Sequence, residues 1–172
     1  MMRPLSLLAV VLLATLVVGC SSTDTRSDAE RIVGVRTAES VNARVVGLSV
    51  PISDLSNSQP RSTVAFDAGG AFNLSLTLPD SLRFDTANVT IPLPDAVTIV
   101  GTYALDDAAN RIVITRTDIT GTLTLGYAFR GSNDLELIAE DAATLSILLG
   151  LAGPEAQALA GVVQGGSIRF NT

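Results

Sequence analysis

Between Ile32 and about Asn133, apolar residues recur at every second position, and the runs are cut at short intervals by Asp, Asn, Gly and Pro. A period of two places them on one face of a strand, so this pattern predicts half-buried strands. Val64 and Phe66 share a face; after the turn Asp67-Ala68-Gly69-Gly70, Phe72, Leu74, Leu76 and Leu78 share the next, with Asn73, Ser75 and Thr77 opposite. Val89, Ile91 and Leu93 alternate too, but Pro92 and Pro94 restrict this segment to an edge or a loose crossing. Val97, Ile99, Tyr103 and Leu105 form a face around Gly101, Asp106 to Asn110 turn the chain, and Ile112 and Ile114 return. Gly121 breaks the run before Leu123, Leu125, Tyr127 and Phe129; the turn Gly131-Ser132-Asn133-Asp134 leads to Leu135 and Leu137. Successive strands on short turns pair antiparallel. Strands with one apolar face must cover it, which a sandwich or a sheet closed into a barrel does.

The texture changes after Glu140. Asp141 can cap a helix from Ala142 to Leu149, with Leu145, Leu148 and Leu149 on one side; the rival reading of Leu145 to Leu151 is another strand. Pro154 and Glu155 suit the first turn of a second helix reaching about Val163, and Gly165-Gly166 should stop it. Ser167 to Phe170 reads as a short last strand, placed to close the sheet against an early one. The expected class is therefore mainly β: an antiparallel barrel or a curved meander sheet, with a short C-terminal helical pair over about 142–163.

The N-terminus carries a different signal. Arg3 is followed by an uncharged apolar run, Leu5 to Val18, then Gly19 and the single cysteine, Cys20. A basic start, a short apolar run and a small residue before the break make a secretory signal peptide. At about 14 residues the run is short for a membrane span. Val17-Val18-Gly19-Cys20 resembles the lipobox of bacterial lipoproteins. That resemblance implies cleavage before Cys20, a diacylglycerol thioether on its sulfur and an acyl chain such as palmitate on its amine. Ser21, rather than Asp, follows, and by the same resemblance the destination is the outer membrane of a bacterial cell envelope. Residues 1–19 are then the signal peptide, and residues 20–30, small and polar, a flexible tether. Residues 31–172 are one domain, enough for a core of its own.

Composition narrows the chemistry. There is no His and no Lys. Histidine-based nucleophile systems, imidazole metal ligands, the phosphate-binding P-loop and Schiff bases are thereby excluded. The one thiol is assigned to lipid, so no disulfide and no zinc cluster is expected. Loss of Arg3 leaves ten of the 11 basic residues against 17 acidic ones. Such an acidic domain repels nucleic-acid phosphates, so nucleic acid is not an expected partner. Neither an enzyme nor a cofactor or metal is expected.

The strand-and-turn phrases carry a second resemblance. Val64 to Leu76, Gly101 to Thr115 and Tyr127 to Leu137 resemble, in order, three hairpins of bacterial lipocalin-like domains, and together they span roughly residues 60–140. The resemblance implies a small antiparallel barrel, often borne on a lipoprotein, and names no one ligand.

Two functions stay open from the sequence. One is a module holding a small apolar ligand inside the barrel, where Tyr103, Tyr127 and Arg116 are the candidate polar groups beside the apolar face. The other is a structural or assembly lipoprotein acting on an envelope protein partner through its surface, with residues 142–163 as the candidate face. The acidic pairs Asp106-Asp107 and Glu140-Asp141 read as turn and cap residues rather than a calcium loop.

Overall fold

The computed structural model describes residues 25–45, 48–54, 60–84, 89–118, 121–131, 133–151, 153–161 and 163–172. The expected signal peptide, Cys20 and the first part of the expected tether lie outside the described residues. A short helix, α1 (Asp28–Ile32), leads into β1 (Gly34–Val45), β2 (Leu48–Asp54), β3 (Thr63–Phe66), β4 (Ala71–Thr77), β5 (Ser81–Phe84) and β6 (Val89–Pro92). Then follow β7 (Ala96–Asp106), β8 (Arg111–Arg116), β9 (Thr122–Arg130), β10 (Asp134–Ala139), α2 (Ala142–Leu151), α3 (Pro154–Gln157), a 3-10 turn (Ala158–Gly161) and β11 (Val163–Asn171).

The fold is a closed antiparallel barrel. Strands β3, β4, β7, β8, β9, β10 and β11 neighbour one another in that order, and β1 pairs with β3 on one side and β11 on the other, completing a ring of eight. Closure removes the free sheet edges that an open meander would leave. Strand β2 continues the ladder on β1 beyond β3, and β5 and β6 form a separate hairpin, the isolated place expected for the segment bearing Pro92 and Pro94.

The predicted inward faces are the buried ones. Val64, Phe66, Phe72, Leu74, Leu76, Val97, Ile99, Ile112, Ile114, Leu123, Leu125, Tyr127, Leu135 and Leu137 belong to one core. Gly101 is inward and buried because its strands come close: a Cβ there would sit 2.1 Å from the Thr115 carbonyl oxygen. The turns use local acceptors. Asp67 Oδ1 accepts from Gly69 N at 2.7 Å, Asp106 Oδ1 from Ala109 N at 3.2 Å, and Asn110 and Gly131 take left-handed backbone conformations.

Four local expectations change. The sequence put Asp28 to Glu30 in a flexible tether. Instead Ser27 and Glu30 form a reciprocal capping box that starts α1, and Ile32 is fully buried in the core rather than opening a strand. The second helix is shorter than expected, ending with the 3-10 turn at Gly161. Gly165 and Gly166 lie inside β11, which begins at Val163, so the closing strand runs further back than Ser167. The first helix extends two residues past Leu149, to Leu151.

Candidate functional site: an apolar cavity at the helical end

The strand directions sort the connections onto two ends. Helix α1 and the turns β3–β4, β7–β8 and β9–β10 share one end; β1–β2, the β5–β6 hairpin, β8–β9 and the helices α2 and α3 share the other.

The α1 end is plugged. Arg36, 5% exposed, points inward from β1 and donates from Nη1 to the Ile32 carbonyl at 2.6 Å, from Nη2 to the Arg31 carbonyl, and from Nε to the Asn133 carbonyl at 3.5 Å. A cation at these last-turn carbonyls caps the helix and meets the negative end of its dipole. Burial, then the charges of Arg26 and Arg31, lower the Arg36 pKa from its ordinary value. Arg31 lies 3.8 Å above the Phe129 ring and donates to the Gly131 carbonyl at 3.3 Å. Beneath the plug the barrel is filled by rings: Phe66 packs on Phe72 and, edge to face, on Tyr103, and Tyr127 on Phe129.

Both candidate tyrosines belong to this filled end. Tyr103 donates its hydroxyl to the Asp67 carbonyl at 2.9 Å. Tyr127 donates within reach of Asp28 Oδ2 at 3.0 Å and Asp107 Oδ1 at 3.2 Å, tying α1 to the β7–β8 turn. The pKa of each is raised, first by burial, then for Tyr103 by the Asp67 charge and for Tyr127 by hydrogen bonding to Asp28 and the charges of both aspartates. The Tyr127 hydroxyl is committed to holding the plug, and the Tyr103 hydroxyl to holding the β3–β4 turn.

The helical end is hollow. A cavity of about 190 Å³ lies between the barrel wall and the helices, with walls almost devoid of polar atoms. Leu74, Leu76, Ile99, Leu123 and Leu125 form one side, and Leu145, Leu148 and Ala156 of the helices cover it. The opposite side is hollow for a reason of register. Ala43 on β1 pairs with Gly166 on β11, and Gly166 pairs with Ala139 on β10, so three neighbouring strands place small residues in one rung. None of Tyr103, Tyr127 and Arg116 is among its walls.

The helical cover is fixed by a hydroxyl. Asp141 Oδ1 accepts from Thr144 N at 2.9 Å, capping α2. Thr144, 1% exposed, accepts at Oγ1 from Thr124 N at 3.0 Å and donates to the Thr124 carbonyl at 3.2 Å. One side chain thus serves both backbone groups of Thr124 beyond the end of the β9–β10 pairing. Ser62 does the same for Thr77 at the end of β4, accepting from its N–H at 2.9 Å and donating to its carbonyl at 3.4 Å.

Arg116 ends β8 on the inward face, two residues beyond the wall residue Ile114. Its side chain is 2% exposed, and it binds Asp118 in a two-point ion pair: Nε donates to Oδ1 at 2.9 Å and Nη2 to Oδ2. The acidic pairs have local duties. Asp106 caps its turn, Asp107 meets Tyr127, Glu140 pairs with Arg44 at 2.9 Å, and Asp141 caps α2. Among the described residues no group of three or more His, Cys, Asp or Glu is placed to hold a metal ion.

No family model matches the chain, and no curated protein or solved structure matches it.

Proposed function

We propose that this protein is a bacterial envelope lipoprotein, anchored through lipid on Cys20, whose barrel holds a small apolar molecule at its helical end. The observation that carries the reading is the cavity: about 190 Å³, with almost wholly apolar walls and partly covered by α2 and α3. It is somewhat larger than an engineered apolar cavity of about 150 Å³ that stays dry and admits benzene. It is smaller than the roughly 300 Å³ at which pockets for drug-sized ligands begin. A short acyl chain or a compact hydrocarbon is the matching class. The large apolar side chains exposed among the described residues, Val33, Val35 and Val100, are all off the helices, which favours an interior role over a docking face on 142–163. The lipobox resemblance at Val17 to Cys20 and the lipocalin-like hairpin phrases support the envelope setting.

Native mass spectrometry of the mature chain, residues 20–172 with Cys20→Ser, tests the interior. A few hundred daltons of added mass, released on unfolding, is expected after exposure to a lipid extract; a bare mass under every loading condition rejects the cavity as a ligand site. Cys20→Ala in the full chain tests the anchor separately. It should move the protein from the membrane to the soluble fraction or leave it unprocessed, and unaltered mass and partitioning reject the anchor.

A further inference from the structure

The cavity walls are hydrocarbon, but a buried donor stands beside them. Arg116 Nη1 has no hydrogen-bond partner among the described residues, although its side chain is 2% exposed. Its sheet neighbours are wall residues: Ile114 precedes it on the same face of β8, and Ile99 lies diagonally across the β7–β8 pair, in which Gly101 faces Arg116. A buried N–H without an acceptor costs about 1–3 kcal/mol, and a ligand that supplies the acceptor recovers it.

The charge state of Arg116 restricts what that ligand can be. Asp118 already neutralises the guanidinium through Nε and Nη2. A second carboxylate would have to give up its own hydration and share the one guanidinium with Asp118, whose side chain is 51% exposed, whereas an uncharged oxygen acceptor satisfies Nη1 at a smaller desolvation cost. Resting on the cavity reading above, we infer that the ligand is an uncharged amphiphile: a short hydrocarbon chain, lying in the cavity, that ends in an ester carbonyl or a hydroxyl directed to Arg116 Nη1. Arg116 is then the specificity-determining residue of the site, and a free fatty acid is the disfavoured form of the same chain.

The test compares four probes of one chain length, each below its micelle concentration, on residues 20–172 carrying Cys20→Ser: octane, octan-1-ol, methyl octanoate and octanoate. The barrel closes within residues 25–172, so the anchor is not needed for it. The alcohol and the ester should bind about tenfold tighter than octane, the worth of one buried hydrogen bond, with octanoate no better than octane. Arg116→Met should bring the alcohol and the ester down to octane and leave octane unchanged. Should that variant unfold, the double variant Arg116→Leu, Asp118→Ala removes the donor and both charges together and serves in its place. Octanoate binding best, four equal affinities, or a ranking that survives loss of Arg116 each overturns the inference while sparing the cavity reading. Failure of octane and every other probe overturns both.

Discussion

Arg36 reaches along the inside of the barrel and holds the Ile32 carbonyl at 2.6 Å, so a strand residue caps the helix that plugs the strand's own end. The contact joins a buried charge to the only helix ahead of the sheet among the described residues. Replacing Arg36 with Met strips the acceptors of the last turn of α1. A loss of about 2–4 kcal/mol is expected, a fall in Tm of roughly 5–15 °C for a domain this size. Thermal unfolding followed by circular dichroism reads it, and hydrogen exchange should show α1 deprotected ahead of the strands. Unchanged exchange across residues 28–32 would show that Ile32 burial alone seats the plug.

Thr144→Val keeps shape and volume but removes the hydroxyl that serves both backbone groups of Thr124. The cost should be about 1–3 kcal/mol, with the opening concentrated in α2 and the start of β9. Thr144→Ser, which keeps the hydroxyl, should restore most of it. Equal stability of the valine and serine variants would refute the hydroxyl's role.

The rung of Ala43, Gly166 and Ala139 predicts the opposite effect for a larger residue. Ala139 is 5% exposed and faces the hollow, so Ala139→Leu places three more carbons in existing space. Stability should rise by about 0.5–2 kcal/mol, since filling a cavity restores lost contacts, and ligand uptake should fall with it. A destabilised variant that still takes up ligand would mean the space is not where the cargo sits.

Two carboxylates set an acid limit. Burial pushes the Glu136 pKa up, but hydrogen bonds from Arg130 and Ser167 and the charges of Arg130 and Arg169 pull it below its ordinary 4.5. Desolvation pushes the Asp141 pKa up, but its hydrogen bonds at Thr144 and Ala143 hold it below its ordinary 3.8, with Arg111 adding charge. Folded values below the unfolded ones mean stabilisation that is complete above about pH 5 and lost as pH falls through the folded values. Urea midpoints measured from pH 7 down to pH 3 should therefore decline below pH 5. Glu136→Gln should flatten that decline, and a wild-type slope in the variant would count against the assignment.

Much of the barrel was legible because its inward residues keep one parity along each strand. From Val97 to Leu105 only odd positions face in, and the glycine in that series, Gly101, sits where a side chain would overlap a neighbouring carbonyl. Strand β1 was not legible for the converse reason. Its inward residues are Arg36 and Ala38, then Val41 and Ala43, because a bulge between Ala38 and Ser40 switches the parity, and none but Val41 looks like a core residue. Helix α1 is too short for a periodic signal, although the spacing of Ser27 and Glu30 was there to be read. Parity also assigns a face and not a height. It placed Tyr103 and Tyr127 beside the interior but could not say that their hydroxyls lie at the plugged end, on Asp67 and on Asp28 and Asp107. The cavity depends on the register of residues 43, 139 and 166, far apart in the chain, which no local pattern encodes.

Strand β11 is both the last strand among the described residues and the lateral partner of β1. A chain made from its N-terminus holds β1 with a bare flank until the nine residues of β11 exist. Every earlier length is an open sheet with an unfinished interior. Closure is therefore a late, long-range event, slow by its topology. Until that pairing forms, no closed wall holds the strands, and the whole chain can still be drawn out as one extended strand.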